Sequence, residues 1–248
     1  MNEVLASAYP EVRAGGFTRY DGNAEFYGRI NSLLRPDMHV LDLGAGRGWQ
    51  LEVLDRFRKD LAILQGKVAR VIGVDVDDAI MENPVLDEAH VYDGTTLPLP
   101  DASVDLVMSD WVLEHIEDPA MFSAEVDRVL RPGGWFCART PHFLSFIALA
   151  SRMVPNRMHA RVINKAQDGG RKAIDVFPTH YRLNSLHALK RHFPEPAWEH
   201  CSYTYSAEPS YHFGRKPILL LMRIAQYLKN PFAGEVLFVF IRKRGEAA

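Results

Sequence analysis

The residues best placed to do chemistry begin in the stretch VLDLGAGRG (40–48), where Asp42 precedes Gly44, Gly46 and Gly48 at every second position. An apolar run closing on glycine suits a buried strand that turns sharply and brings its backbone close to a ligand. The spacing is G-x-G-x-G, whereas a pyrophosphate-binding turn takes G-x-G-x-x-G. Arg47 and Trp49 also stand where that turn takes small residues. Asp42 sharpens the contrast, because a carboxylate beside the turn repels phosphate and attracts a cation or an ammonium group. Hydride transfer from a nicotinamide dinucleotide is disfavoured on all three counts.

Two more acidic residues fall at the same edge. VIGVD places Asp75, followed by Val76, at the end of a second strand, and YDG places Asp93 and Gly94 at the end of a third. An acidic residue ending the second strand commonly bridges ribose hydroxyls, and ligands of open α/β sheets bind outside the carboxyl ends of the strands. Three carboxylates there describe a pocket for a nucleoside that lacks phosphates. Asp105, inside SVDLV, reads instead as a structural carboxylate at a strand edge.

The elements that must position these groups follow from periodicity. Asn23–Leu34 has helical spacing and stops before Pro36. HVLDLG is the first strand, and WQLEVLDRF a helix directly after the glycines. Arg70–Val76, Glu88–Asp93, Ser103–Asp110 and Gly134–Thr140 read as four more strands, with a helix over Pro119–Leu130 stopped by RPGG. Strands alternating with helices at this interval predict a doubly wound, mostly parallel sheet. Residues 1–20 read as loop. After Thr140 the rhythm changes: an apolar helix and a basic stretch occupy 141–183, Ser185–Phe193 is a short helix, and Trp198–Tyr205 a strand. A second apolar helix lies in 206–233, and Glu235–Lys243 is a strong final strand that pairs antiparallel with the one before it.

Read together, VLDLGAGRG, VIGVDVD, YDGTTLPLPDASVDLVMSDWVLEHIEDP and EVDRVLRPGG resemble, in order, the motifs of class I S-adenosylmethionine-dependent methyltransferases of the small-molecule branch. The likeness covers about residues 38–140. It implies a Rossmann-like seven-stranded sheet with a C-terminal antiparallel strand and helical insertions, and S-adenosyl-L-methionine as cofactor. By resemblance, Gly44, Ala45 and Gly46 pass under the methionine part, Asp42 faces its ammonium group, and Asp75 and Val76 hold the ribose. Asp93 and Gly94 meet the adenine, and Asp110 and Trp111 border the methionine and the acceptor. Asp75 follows Gly44 by 31 residues, longer than the family's usual spacing, and KDLAILQGK reads as a surface insertion.

Methyl transfer needs a nucleophile lined up behind an activated methyl, and an oxygen nucleophile must also lose a proton. His115, just beyond the fourth strand, and His142, directly after the fifth, are candidate general bases; each also suits a packing role. The Glu-His pair at 114–115 resembles a segment that holds a divalent metal in some quinone and RNA-end methyltransferases. Trp111 replaces the glutamate needed there, so no metal is expected. No NPPY-like stretch follows the fourth strand, which by resemblance argues against nucleic acid as acceptor.

The sequence of 248 residues carries a formal charge of −2, which offers no general attraction for nucleic acid. Ser151–Lys172 holds six basic residues and one acid, a local +5. It is read either as a solvated basic face or as a lid for an anionic substrate, with Arg157 a candidate contact. Arg19 and Tyr20, in GGFTRY, and His180 and Tyr181, in FPTHYR, are candidate substrate residues from two further segments. The apolar FLSFIALA and PILLLMRIAQYL suit burial first, a homodimer interface second and a peripheral membrane contact third. Neither reaches the length of a membrane span.

The segments PH…VPNRMH…DVFPTHYR are similar to those of methyltransferases from bacterial surface-polysaccharide clusters, over about 140–185. The expectation is one domain: an N-terminal lid and helix (1–36), a cofactor half (37–140) and substrate-side insertions (141–183 and 206–233). The resemblance implies O-methylation of a small or lipid-linked acceptor such as a sugar. C-methylation of a quinone-like ring and a non-catalytic cofactor-binding scaffold are the alternatives. Two scattered cysteines and an N-terminus with neither a basic start nor a long apolar run suit a cytoplasmic setting.

Overall fold

The computed structural model describes residues 3–145, 148, 178–209, 214–228 and 234–245. Arg157 and the rest of the basic stretch lie outside the described residues. Contacts group the chain into two compact units. One comprises Asn23–Thr140, His180–Tyr203 and Leu237–Ala248; the other comprises Met1–Gly22, Pro141–Thr179 and Thr204–Val236.

The first unit is built on strand β1 (His39–Leu43), which pairs in parallel with β2 (Arg70–Asp75) on one side and β4 (Val104–Asp110) on the other. β2 continues to β3 (Glu88–Val91), and β4 to β5 (Leu130–Pro141). The sheet order is β3-β2-β1-β4-β5-β8-β6, where β6 is Trp198–His200 and β8 is Val236–Lys243, running antiparallel to it. An eighth strand, β7 (Tyr203–Tyr205), also pairs with β8. The direction of order reverses between β1 and β4, the switch point at which such sheets bind ligands.

Sequence explains the parallel core. Leu41, Leu43, Val74, Val104, Val107 and Phe136 form one continuous apolar cluster with Val126 and Val129 of α5 (Pro119–Val129) and with Leu189 of α6 (Leu186–His192). Asp118 starts α5 by accepting the N–H groups of Ala120 and Met121, with Pro119 in the first position, where its missing N–H costs nothing. Ser185 caps α6 through the Ala188 N–H. The helix α2 (Gly22–Leu33) buries Phe26, Tyr27 and Ile30, with the Phe26 ring 5.8 Å from that of Phe238.

Four local expectations are corrected. Residues 1–20 are not loop throughout: α1 (Glu3–Ala8) and a 3-10 turn (Pro10–Arg13) are ordered by the packing of Ala6, Tyr9 and Val12. WQLEVLDRF is two helices, α3 (Gln50–Val53) and α4 (Arg56–Ala62), because Asp55 stops one and caps the next by accepting the Arg58 N–H. β5 begins at Leu130, not Gly134. A register shift between Val104 and Leu106 lets RPGG stay in the sheet. The segment 198–205 is two short strands.

In the second unit, α1 packs against α7 (Lys216–Leu228). Thr18 Oγ1 donates to Glu208 Oε2 at 3.0 Å, and the Glu208 N–H to the Tyr20 carbonyl at 3.3 Å. Among the described residues no helix is long and apolar enough to cross a membrane.

Candidate functional site

The glycine turn leaves β1 with all three glycines at positive φ: 81° at Gly44, 51° at Gly46 and 85° at Gly48. The Gly44 N–H donates to the Val74 carbonyl at 2.7 Å, fastening the turn to β2. A Cβ on Gly44 would lie 2.2 Å from Val112 Cγ2, and one on Gly48 2.8 Å from Asn83 Oδ1. At Gly46 a Cβ would meet nothing within 4 Å, so the turn is open there. Asn83 holds the other side, donating through Nδ2 to the carbonyls of Ala45 at 3.3 Å and Gly46 at 3.0 Å. Gly44→Ala should therefore lower stability by about 2–4 kcal/mol, since a left-handed φ and a clash act together. A denaturant midpoint within experimental error of wild type would contradict this.

Asp75, half-buried at the end of β2, accepts the Gly46 N–H through Oδ2 at 2.8 Å and the Asp77 N–H through Oδ1 at 2.9 Å. One carboxylate thus ties the glycine turn to the following strand. Val76 beside it is exposed and Ala45 buried. Asp93 is exposed, and its Oδ1 accepts from the Thr95 N–H, the Thr95 hydroxyl and the Thr96 N–H. Those bonds, led by the Thr95 hydroxyl, hold its carboxyl below the usual range. Gly94 follows at φ 84°.

Asp42 is the unusual member. It is 6% exposed, and its carboxylate accepts no hydrogen bond among the described residues. Burial first, then the charges of Asp110 and Asp75, push its pKa up to about 8. A buried carboxyl facing two others is poorly served in isolation. A bound cation is what would let it ionise.

Asp110 is committed elsewhere. Its carboxylate forms a two-pronged ion pair with Arg139 and accepts the Tyr27 hydroxyl at 2.7 Å. Arg139 also donates to Asn23 Oδ1 at 2.8 Å, and its guanidinium lies 5.5 Å from the centre of the Trp111 ring. Trp111 has φ 58° and donates its N–H to the Arg139 carbonyl at 3.0 Å. A left-handed tryptophan is held against its own preference by this packing. The arrangement turns Asp110 toward Arg139 and Tyr27, and leaves Trp111 as the half-buried group at the end of β4.

His115 ends a 3-10 turn (Leu113–His115) beside the buried Glu114. Glu114 Oε2 accepts the Thr140 hydroxyl at 2.8 Å, and that hydroxyl accepts from Asn184 Nδ2 at 2.6 Å. The Glu114 carbonyl takes the N–H groups of His180, at 2.7 Å, and Tyr181, at 3.1 Å. His115, His180 and Tyr181 are therefore drawn to one segment, with Tyr181 at φ 55°. The other candidates belong to the second unit. His142 is buried, donates its N–H to the Glu235 carbonyl at 2.9 Å and meets the Phe143 ring edge-on. Arg19 pairs with Glu11 at 3.3 Å and lies over the ring of the exposed Tyr20. Among the described residues, no group of three or more His, Cys, Asp or Glu could hold a metal ion.

Sequence reasoning missed Arg139, Tyr27, Asn83 and Gln50. The first two are joined to Asp110 by contacts 29 and 83 residues apart in sequence, which leave no local pattern. Asn83 had one signal, the glycine at 48 that makes room for it. Gln50 opens α3 with Oε1 buried and without a hydrogen-bond partner among the described residues.

The family described as a methyltransferase domain matches residues 41–138. A probable S-adenosylmethionine-dependent methyltransferase from Mycolicibacterium smegmatis is 39% identical over 134 residues, covering 52% of this chain and 47% of that protein. The demethylmenaquinone methyltransferase of Symbiobacterium thermophilum is 31% identical over 146 residues, covering 55% and 51%. The chain thus spans about half the length of these curated relatives. Among solved structures, an S-adenosylmethionine-dependent methyltransferase from Mesorhizobium loti superposes with a TM-score of 0.50 at 20% identity, covering 90% of this chain and 99% of that one, and supports the fold. The motif order and the strand order agree with these likenesses: residues 41–138 match the methyltransferase-domain family, and the relatives that share this stretch include a probable S-adenosylmethionine-dependent methyltransferase.

Proposed function

We propose that the whole protein transfers the methyl group of S-adenosylmethionine to a hydroxyl of a small or lipid-linked acceptor, such as a sugar of the kind handled in polysaccharide biosynthesis. The observation that carries the cofactor part is the buried, hydrogen-bond-free carboxyl of Asp42 beside an open glycine turn. The residues present fit the cofactor. Asp42 answers its ammonium group, Gly44, Ala45 and Gly46 give it room, and Asp75 with Val76 receives the ribose. Asp93 and Gly94 receive the adenine, through the carboxylate oxygen that the Thr95 turn does not use. When bound, S-adenosylmethionine supplies a methyl already activated on a sulfonium.

The chain's part is positioning and proton removal. Trp111, fixed by Arg139, forms the wall beside the reacting face, while Asp110 acts through that pair and not by direct contact. His115 takes the proton of the acceptor hydroxyl; His142 is the second candidate base. His180 and Tyr181 border the acceptor, and Arg19, Tyr20 and Arg157 are its remaining candidate contacts. The acceptor class rests on the basic stretch 151–172 and on the resemblance of 140–185 to polysaccharide-cluster enzymes. A setting in the cytoplasm fits an enzyme that uses this cofactor.

Carbon methylation of a quinone-like ring is the second reading, favoured by the demethylmenaquinone methyltransferase among the relatives. The two readings separate in a methyl-transfer assay with phosphorylated sugars and hydroxylated rings, run on wild type, His115→Ala and His142→Ala. Oxygen transfer predicts a rate loss of about a hundredfold in the variant lacking the base, partly regained at high pH. A sugar-inactive enzyme that methylates ring carbon, and is indifferent to both histidines, would sink the first reading. No turnover on any acceptor, with cofactor bound, would favour a scaffold.

A further inference from the structure

The helix α7 is built the wrong way round for a helix that serves its own core. Its inward side is Leu219, Arg223 and Gln226. Leu219 is buried, Arg223 lies over the Tyr9 ring at 4.7 Å, and Gln226 Nε2 donates to the Ala207 carbonyl at 3.0 Å. Its outward side carries the apolar residues instead. Leu220 is 56% exposed, Leu221 66% and Ile224 47%. Positions 220, 221 and 224 share one face of a helix, so burying them together is worth several times the cost of exposing any one. The expectation that this segment is simply buried fails for these three residues.

Charge indicates what covers that face. Arg215 and Lys216, at the start of α7, are exposed. Between Pro209 and Gly234 the sequence holds Arg215, Lys216, Arg223 and Lys229 and no carboxylate. The thirteen residues of α7 extend about 20 Å, too short to cross a hydrocarbon core of about 30 Å. An amphipathic helix with an exposed apolar face, basic flanks and no acid matches the interface of an anionic bilayer. A face meant for a second copy of the chain would carry no reason to exclude acids. We infer that α7 lies on an anionic membrane surface, with Leu220, Leu221 and Ile224 among the headgroups and Arg215 and Lys216 against lipid phosphates.

The contact is tested by co-sedimenting the full chain with phosphatidylcholine vesicles, with and without about a third phosphatidylglycerol, at low and high salt. Anionic vesicles should take up about tenfold more protein than neutral ones, and high salt should remove the difference. Leu221→Asp should cut uptake about tenfold while leaving the thermal midpoint unchanged, since its side chain is mostly in water. Arg215→Glu combined with Lys216→Glu should erase the preference for anionic lipid. Vesicle uptake that is absent, or equal on neutral lipid and indifferent to Leu221→Asp, overturns the inference. A dimer in solution that Leu221→Asp dissolves, without vesicle uptake, overturns it too and gives the face to a second copy. The assay contains no S-adenosylmethionine, so its failure leaves the cofactor reading untouched.

Discussion

Replacing Asp75 by alanine should weaken S-adenosylmethionine about a thousandfold, since two charge-assisted hydrogen bonds to ribose hydroxyls are worth roughly 4 kcal/mol together. The substitution acts twice. It removes the proposed ribose acceptor, and it frees the Gly46 and Asp77 N–H groups that the carboxylate now fastens. The two effects can be told apart. Asp75→Asn keeps one acceptor of similar shape, so it should retain one of the two hydrogen bonds that fasten the turn, unfold less readily than the alanine variant and lose about thirtyfold in affinity. If both variants bind as tightly as wild type, the carboxylate at the end of β2 does not hold the ribose. If both simply unfold, fluorescence-monitored melts will show it before any titration is attempted.

Asp42→Asn has effects of opposite sign on stability and on binding. In the folded protein this carboxyl keeps its proton up to a pKa of about 8, against 3.8 for an ordinary aspartate. Between those values the unfolded chain binds one proton fewer, so stability falls as pH rises, by up to about 1.4 kcal/mol per pH unit, and levels off above pH 8. The asparagine variant lacks that slope. It should match wild type near pH 4 and exceed it increasingly toward pH 8, by several kcal/mol at order of magnitude.

Binding reverses the balance. An ammonium group draws Asp42 into its ionised form, so cofactor binding at pH 7 should release a proton and tighten as pH rises toward 8. An asparagine amide cannot supply that charge, and affinity should drop about a hundredfold. Titrations in buffers of different ionisation heat measure the proton directly. A wild type that releases none, or a variant no more stable at pH 8 than wild type, would contradict the role given to Asp42.

The first half of the chain was legible because each element there is announced locally. β1 is a short apolar run ended by glycines, α5 opens on Asp118-Pro119, and Asp42, Asp75 and Asp93 fall at strand ends that any parallel reading puts on one edge. What was not legible depends on tertiary pairing. α1 has no long amphipathic pattern and is ordered by Ala6, Tyr9 and Val12 packing together. The break between α3 and α4 hides inside an unbroken apolar rhythm and is made by the Asp55 side chain. RPGG looks like a stop, yet its backbone stays in β5 because the pairing with β4 slips in register.

The same limit applies to the site. Asp110 was legible as a strand-end acid, but its partners Arg139 and Tyr27 come from β5 and α2. Only the folded sheet brings them to it. Glu114 was legible only as the neighbour of His115 beyond the fourth strand; its burial, with the Thr140 hydroxyl donating to it, comes from the fold. The acceptor side was least legible, since its candidates are scattered over 15–20, 115, 142 and 151–181, with no shared period or spacing.

The carboxyl edge of β1–β4 is the proposed S-adenosylmethionine site. Its most direct test is a calorimetric titration of the wild-type chain with S-adenosylmethionine and, separately, S-adenosylhomocysteine. The expected result is one site per chain with micromolar affinity for both, and a proton released at pH 7. A folded chain that gives no binding heat with either compound, in any buffer, would contradict it.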